Sequence, residues 1–461
     1  MRLAYKEQKI FGDTHTPVSL FLKLRDQFSN CILLENSDYS VKENHLSFIC
    51  CQSIASFKLD GEGLEIKKLN KVESRDIESH EVLNQLHAFN ASFDLDEQGK
   101  YPHAGLFGYT SFDAAQHFMQ LNYETPRADD SIPEMLYHVY QLVIAINHFN
   151  NEIVLQENLP EGQPSLMDKA KALIKSERSS SFQFQLVGEE KVNGSDEDYL
   201  NNVQKAIDHC FRGDVFQLVL SRRFSQEYKG DEFNLYRALR MINPSPYSFY
   251  FDYGNFKIFG SSPEANLVVQ NSKAEIHPIA GTYKRTSDDA KDLELAQALF
   301  QDEKENAEHT MLVDLARNDL STVAEEVKVE KLKEVQFFSH VIHLVSKVVG
   351  KVKAKEEALQ LLAGTFPAGT LSGAPKHKAL QLIDRYENER REFYGGAIGF
   401  IGFNGDSNQA IIIRSFMAKK NKLFYQAGAG IVSESVPEKE LQEVNNKIAA
   451  LRKALKIAEE I

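Results

Sequence analysis

Two acidic pairs, Glu305-Asn-Ala-Glu308 and Glu440-Leu-Gln-Glu443, lie about 135 residues apart, each in a stretch of helical periodicity. Residues three apart on a helix point the same way, so each pair projects two carboxylates from one face. Two such faces brought together would hold a hard divalent cation. Mg²⁺ suits best, because it takes oxygen ligands and leaves part of its shell to water and an anionic substrate. Either pair alone reads first as a solvated helix face. His340 and His343 lie three apart in an apolar helix or turn, as packed side chains or an incidental zinc pair. Arg414 sits in the apolar strand Ile411-Ile-Ile-Arg-Ser415, where a guanidinium wants a carboxylate, structural or from a ligand. Gly428-Ala-Gly430 is either an ordinary turn or a cradle of backbone N–H groups for an anion. Gly369-Thr-Leu-Ser-Gly-Ala-Pro-Lys376 lacks the spacing of a phosphate-binding loop and has Pro375 before its lysine, which argues against nucleotide binding.

These residues need elements to position them. Ser195-Asp-Glu-Asp198 has the form of a helix cap, and Val203, Ile207 and Cys210 carry that helix to a stop at Gly213. Tyr247–Phe251 and Phe256–Phe259 alternate across Asp252-Tyr-Gly-Asn255 and read as a hairpin. A helical middle, roughly Asp288 to Asn318, carries the first acidic pair. Strands return at Gly395–Phe403, Gln409–Met417 and Leu423–Gln426, joined by short polar connections that demand antiparallel pairing. The class is therefore α+β. The first 60 residues also offer short β-rich runs closed by turn chemistry. Between Leu159 and Gly194 the chain turns polar, with Pro160, Gly162, Pro164 and Ser179-Ser-Ser181, leaving room for one short helix at Leu166–Ile174. The expected organisation is an N-terminal region 1–160, a linker 161–194 and a C-terminal catalytic domain 195–457.

The 461 residues suffice for a large core, and 53 basic against 66 acidic residues give a formal charge of −13. No basic tract is interleaved with aromatics, so nucleic acid is not an expected partner. Cys31, Cys50, Cys51 and Cys210 show no C-x-x-C spacing, and Cys50 and Cys51 would point to opposite faces of a strand. The amino terminus has no apolar core of signal-peptide length, and no apolar run approaches a membrane span. A soluble cytoplasmic protein with reduced cysteines is expected.

The segments around these residues closely resemble the chorismate-utilising enzymes, and most of all the anthranilate synthase component I family. The pattern recurs in order at Asp214–Phe224, Gly260-Ser-Ser-Pro-Glu264, Pro278-Ile-Ala-Gly-Thr282, Glu308–Leu320, His340–Ser346, Thr365–Lys376, Tyr394-Gly-Gly396, Gln426–Ile431 and Ser435–Lys447. It is dense from about 195 to 455 and looser over the first 150 or so residues. The resemblance implies two orthogonal antiparallel sheets flanked by helices. It also implies that Glu308 and Glu443 hold Mg²⁺ directly while Glu305 and Glu440 act through waters. Glu264 matches the general acid for the departing C4 hydroxyl of chorismate, and His343 the histidine of aromatisation and pyruvate elimination. Arg414 and Tyr394 match the enolpyruvyl carboxylate site, and Thr282 and Thr370 match hydroxyls that face the substrate. Gly428, Ala429 and Gly430 would be the anion cradle.

Two positions narrow the reaction. Water-using relatives carry a lysine where this chain has Gln217, and glutamine cannot deprotonate water, so the nucleophile is expected to be ammonia. Many aminodeoxychorismate synthases carry a lysine where this chain has Ala280, which favours attack at C2 and an anthranilate product. No cysteine lies in the G-x-C-x-G setting of a glutamine amidotransferase, so ammonia would come from a separate amidotransferase subunit. Leu33-Leu-Glu-Asn-Ser37 and Asn243-Pro-Ser-Pro-Tyr247 resemble the family's L-tryptophan inhibitor segments, through Leu34, Glu35, Asn36, Asn243, Pro244, Pro246 and Tyr247. Asn36 replaces the usual serine and Ser248 the usual methionine. The alternatives are an aminodeoxychorismate synthase of folate synthesis and a catalytically silent tryptophan-binding regulator on the same fold.

Overall fold

The computed structural model describes residues 1–36, 46–96, 103–177, 180–286, 288–337 and 341–461. Its architecture is set by two long, bent strands, Leu46–Asp60 and Met135–Asn147, which pair antiparallel along most of their length. One end of this pair joins a sheet in which Ile32–Asn36 lies beside Tyr247–Asp252, followed by Phe256–Ser262, Ser415–Lys419, Lys422–Ile431 and Gln217–Gly230. The other end joins a second sheet through Gly105–Thr110, Ala397–Gly402, Ser407–Ile411, Ala265–Gln270, Lys273–Ile276 and Val341–Lys351. Ile279–Lys284 and Glu325–Phe337 complete it. Among the described residues every strand pairing is antiparallel except Arg2–Phe11 with Asp94–Leu95. With its helices the chain is α+β, as its short polar connections require.

The register explains the hydrophobic clusters. Side chains of a strand alternate between faces, and Cys51 accordingly packs in one cluster and Cys50 in the other. All four cysteines are free thiols, with the Cys31 and Cys51 sulfurs 3.5 Å apart in the core.

Three helices matter for the site. Asp196–Phe211 starts as expected, with Ser195 accepting from the Asp198 N–H in a capping box. Glu303–Ser321 begins at Asp302, whose side chain accepts from the Glu305 N–H at 3.1 Å. Pro437–Ala458 has proline in its first turn and buries Val444, Ile448, Leu451 and Leu455, spaced four, three and four. That seam packs on the Lys422–Ile431 strand and on the Phe233–Ile242 helix, leaving the Glu443 side towards solvent.

The polar stretch after Leu159 holds the helix Met167–Lys175 and the strand Phe184–Val192, which pairs with Gln217–Gly230. Its polar composition fits an edge strand, where one face meets water. Among the described residues, no helix is long and apolar enough to cross a membrane.

Candidate active site

The Glu303–Ser321 helix packs against the strands Ile279–Lys284 and Val341–Lys351. Glu305 and Glu308 leave it on the same side, as the spacing requires. Glu305 lies over Gly281, where a Cβ would stand 3.2 Å from its Oε2. Gly281 has φ +69°, a conformation that glycine adopts without strain. Its carbonyl accepts from Nδ1 of His343 at 2.8 Å. That bond leaves Nε2 as the basic ring nitrogen. Burial lowers the histidine's pKa, and Arg414 adds to the effect against the opposing Gly281 bond, so the ring is held neutral. Glu308 accepts from Nε2 of Gln217 at 3.2 Å.

The second acidic pair leaves the Pro437–Ala458 helix, which packs on the Lys422–Ile431 strand. Glu440 is buried, whereas Glu443 is exposed and pairs with Lys447 one turn on, Oε1 to Nζ 2.7 Å. Lys447 also donates to the Gly428 carbonyl at 2.8 Å. Two residues along, a Cβ on Gly430 would stand 2.6 Å from Nε2 of Gln217. The Gly428–Gly430 segment therefore links the two carboxylate faces, touching Lys447 beside Glu443 and Gln217 beside Glu308. Among the described residues no three metal-ligating side chains form a cluster of their own. This donor set fits Mg²⁺, which commonly takes one or two protein carboxylates and fills its remaining positions with water and substrate oxygens.

Glu264 stands between the strands Phe256–Ser262 and Ala265–Gln270, partly exposed, and accepts from Oγ1 of Thr370 at 3.1 Å. Burial raises its pKa to about 7, against the lowering influence of the Thr370 bond, Lys447 and Arg414. A carboxyl group with that value is in part protonated at neutral pH and can act as an acid. Tyr394 is buried beside the Gly428 backbone. Arg391, fully buried, ties this region together: Nη1 donates to the Leu371 carbonyl at 2.6 Å and Nη2 to the Val219 carbonyl at 2.8 Å. It thus anchors the Thr370 turn to the Gln217 strand.

Several expectations need correction. Arg414 is not within a strand: Ser407–Ile411 and Ser415–Lys419 are separate, and Arg414 occupies the bend between them at φ +48°. The bend arises because Ile412 exchanges backbone hydrogen bonds with Gly395 and Gly396 instead of a ladder neighbour. Gly428-Ala-Gly430 is not a turn but strand interior, opposite Ser221, Leu220 and Val219. Glycine is needed there for close approach, since a Cβ on Gly428 would meet the Leu220 carbonyl at 2.8 Å. His343 lies on the strand Val341–Lys351 rather than in a helix or turn. Thr282 is opposite it in register, its side chain outside the described residues, as are His340 and Ser37. Lys447 was not singled out in the sequence; the signal for it was its position four after Glu443 on one helix face.

The two segments matched to tryptophan binding meet as adjacent strands, with Asn36 opposite Tyr247, Glu35 opposite Ser248 and Leu34 opposite Phe249. Glu35 is buried against Arg240, Nε to Oε2 2.9 Å, and accepts from the Tyr236 hydroxyl. Its burial raises its pKa despite both partners. Leu34 and Tyr247, like Phe48 and Phe400, pack against the second cluster, while Pro244 is exposed and Pro246 half-buried.

Gly430→Ala is expected to keep the fold but push the Gln217 amide off Glu308, because the obstructing atom ends a flexible side chain. Turnover should fall by about 10- to 100-fold, the usual cost of losing a group that orients a ligand. Kinetics beside an unchanged circular dichroism spectrum would check this, and full activity would mean that the Gln217–Glu308 contact is dispensable.

The chain is similar to known proteins along nearly its whole length. A family profile described as chorismate binding enzyme matches residues 32–453. The anthranilate synthase component 1 of Aquifex aeolicus is 39% identical over 98% of this chain and 94% of its own length. That of Acetivibrio thermocellus is 36% identical over 98% and 95%. Among solved structures, anthranilate synthase component I from Streptococcus pneumoniae matches with a TM-score of 0.78 at 31% identity, covering 96% of this chain and 99% of that one. A menaquinone-specific isochorismate synthase from Escherichia coli shares the fold, with a TM-score of 0.75 at 20% identity over 98% and 94% of the two chains. The carboxylate helices and the Glu264 carboxyl with the cations around it thus stand in a chain that is an enzyme of the chorismate-binding family, related along nearly its whole length to anthranilate synthase component 1.

Proposed function

We propose that this chain aminates chorismate at C2 with ammonia and eliminates pyruvate to give anthranilate, with Mg²⁺ held by Glu308 and Glu443. The observation that carries this reading is Gln217, an amide without basicity placed 3.2 Å from Glu308. Neutral ammonia is nucleophilic enough to add without a base, whereas water needs a base to take its proton, and the Gln217 amide cannot serve as one. As the C2–N bond forms and the ring double bonds shift, the C4–O bond breaks and Glu264 gives its proton to the departing oxygen, which leaves as water. Loss of the C2 proton and cleavage of the enolpyruvyl C3–O bond then make the ring aromatic and release pyruvate. His343 suits this proton transfer, since its Nδ1 is committed to Gly281 and its Nε2 is basic. Arg414, Tyr394 and Lys447 present donors to the substrate's carboxylates, with Thr370 facing it; Thr282 joins them by the family match alone. Bound Mg²⁺ would neutralise the ring carboxylate's charge as the ring rearranges.

Ammonia reaches the site from a separate glutamine amidotransferase, in keeping with the names of the component 1 relatives and with the absence of a G-x-C-x-G cysteine. L-tryptophan inhibits by binding at Leu34–Asn36 and Tyr247. Free thiols at all four cysteines suit a reducing, cytoplasmic setting for this biosynthetic step. In the test, the purified chain with chorismate, Mg²⁺ and ammonium should form anthranilate. With glutamine replacing ammonium it should form none until an amidotransferase is added. Glutamine-dependent turnover by the chain alone would refute the division of labour, and tryptophan binding without any chorismate turnover would favour a silent regulator.

A further inference from the structure

Asn243 ends the Phe233–Ile242 helix, its N–H bonded to the Leu239 carbonyl at 2.9 Å. Every polar group it offers is engaged within the chain. Its Oδ1 accepts from Nη1 of Arg414 at 2.9 Å, its Nδ2 donates to the Ser261 carbonyl at 3.1 Å, and its own carbonyl accepts from Oγ of Ser261 at 2.7 Å. Ser261 in turn donates its N–H to the Arg414 carbonyl at 3.2 Å. Asn243 and Ser261 therefore grip Arg414 at both ends, guanidinium and backbone, at a bend whose positive φ a non-glycine residue seldom adopts. A guanidinium on a long, flexible stem recognises a carboxylate well only when its fork is already aimed. The same serine reaches the neighbouring segment through Oγ of Ser248 at 3.0 Å, and Ser248 lies opposite Glu35.

We propose that Asn243 is a positioning residue for Arg414, aiming its guanidinium at a substrate carboxylate, rather than a tryptophan ligand. The Asn243–Tyr247 segment then serves two sites at once, with its asparagine turned to the substrate and its tyrosine to the Leu34–Asn36 strand. The inference rests on the reading of Arg414 given above.

The test is a double-mutant cycle on the full chain, with free ammonium as nitrogen source and turnover followed as chorismate consumption. Asn243→Ala should raise KM for chorismate about tenfold, the size of one lost charge-assisted hydrogen bond, while leaving KM for ammonium unchanged. Arg414→Lys should raise the chorismate KM at least as much, and adding Asn243→Ala to it should change KM by less than about twofold, because the two act as one unit. An unchanged chorismate KM in Asn243→Ala, or effects that multiply in the double variant, would overturn the proposal. If Arg414→Lys itself leaves the chorismate KM unchanged, the substrate role of Arg414 fails instead. Should Asn243→Ala not fold, Asn243→Asp keeps the shape and sets a competing carboxylate against the guanidinium. It should raise the same KM, and an unaltered KM there would equally overturn the idea.

Discussion

Glu308→Gln is expected to abolish Mg²⁺-dependent turnover while the chain still folds. The change removes one negative charge and almost no volume from a half-buried position, and the new amide oxygen can still accept from Gln217, whose Nε2 lies 3.2 Å from the present carboxylate. What it removes is a charged oxygen donor on the helix face that a hard cation needs. The loss should exceed the roughly 10- to 100-fold expected of Glu440→Gln, whose carboxylate would act one shell further out. Turnover against Mg²⁺ concentration, with a thermal melt as the folding control, separates the two. A Glu308→Gln variant of normal activity and metal dependence would remove the helix pair from the mechanism.

Glu264→Gln is predicted to cost about 10²- to 10⁴-fold in rate, the usual contribution of a positioned acid. The hydrogen bond from Thr370 can survive, since the amide keeps an acceptor oxygen, so this loss reports the proton and not the packing. The pH dependence follows from the raised pKa. A carboxyl with a value of about 7 works as an acid below it, so at fixed free ammonia the wild-type kcat/KM should fall as pH rises through about 7. Stability runs the same way. Between its unfolded value of 4.5 and about 7, the folded state holds a proton that the unfolded chain has lost. The stabilisation is therefore complete below 4.5 and is lost as pH rises through about 7. Denaturant midpoints measured across that window should shift in the wild type and less so in Glu264→Gln. A rate profile with no limb near neutrality would mean that another group is the acid.

Much of this was legible in the residues because the signals were local. The acidic pairs lie on helices, as the periodicity around them foretells. The Tyr247–Ser262 hairpin and the Ser195 cap were equally local. The failures came where tertiary contacts override a local pattern. Ile411-Ile-Ile413 looks like continuous strand, yet Ile412 bonds to the glycine turn at 395–396 and throws Arg414 into a bend. Gly428 and Gly430 look like turn residues, and only their packing against Leu220 and Gln217 shows why a strand needs them. The run around His343 is apolar throughout, so periodicity cannot tell helix from strand there. The pairing of Ile32–Asn36 with Tyr247–Asp252, and the grip of Asn243 on Arg414, join segments remote in the chain. No spacing rule reaches that far.

Amination at C2 followed by loss of pyruvate fixes the product stoichiometry. The purified chain would be given chorismate, Mg²⁺ and isotopically labelled ammonium, and the products identified by mass and fluorescence. Labelled anthranilate and pyruvate are expected in equal amounts. Labelled aminodeoxychorismate without pyruvate, or unlabelled isochorismate, would contradict it.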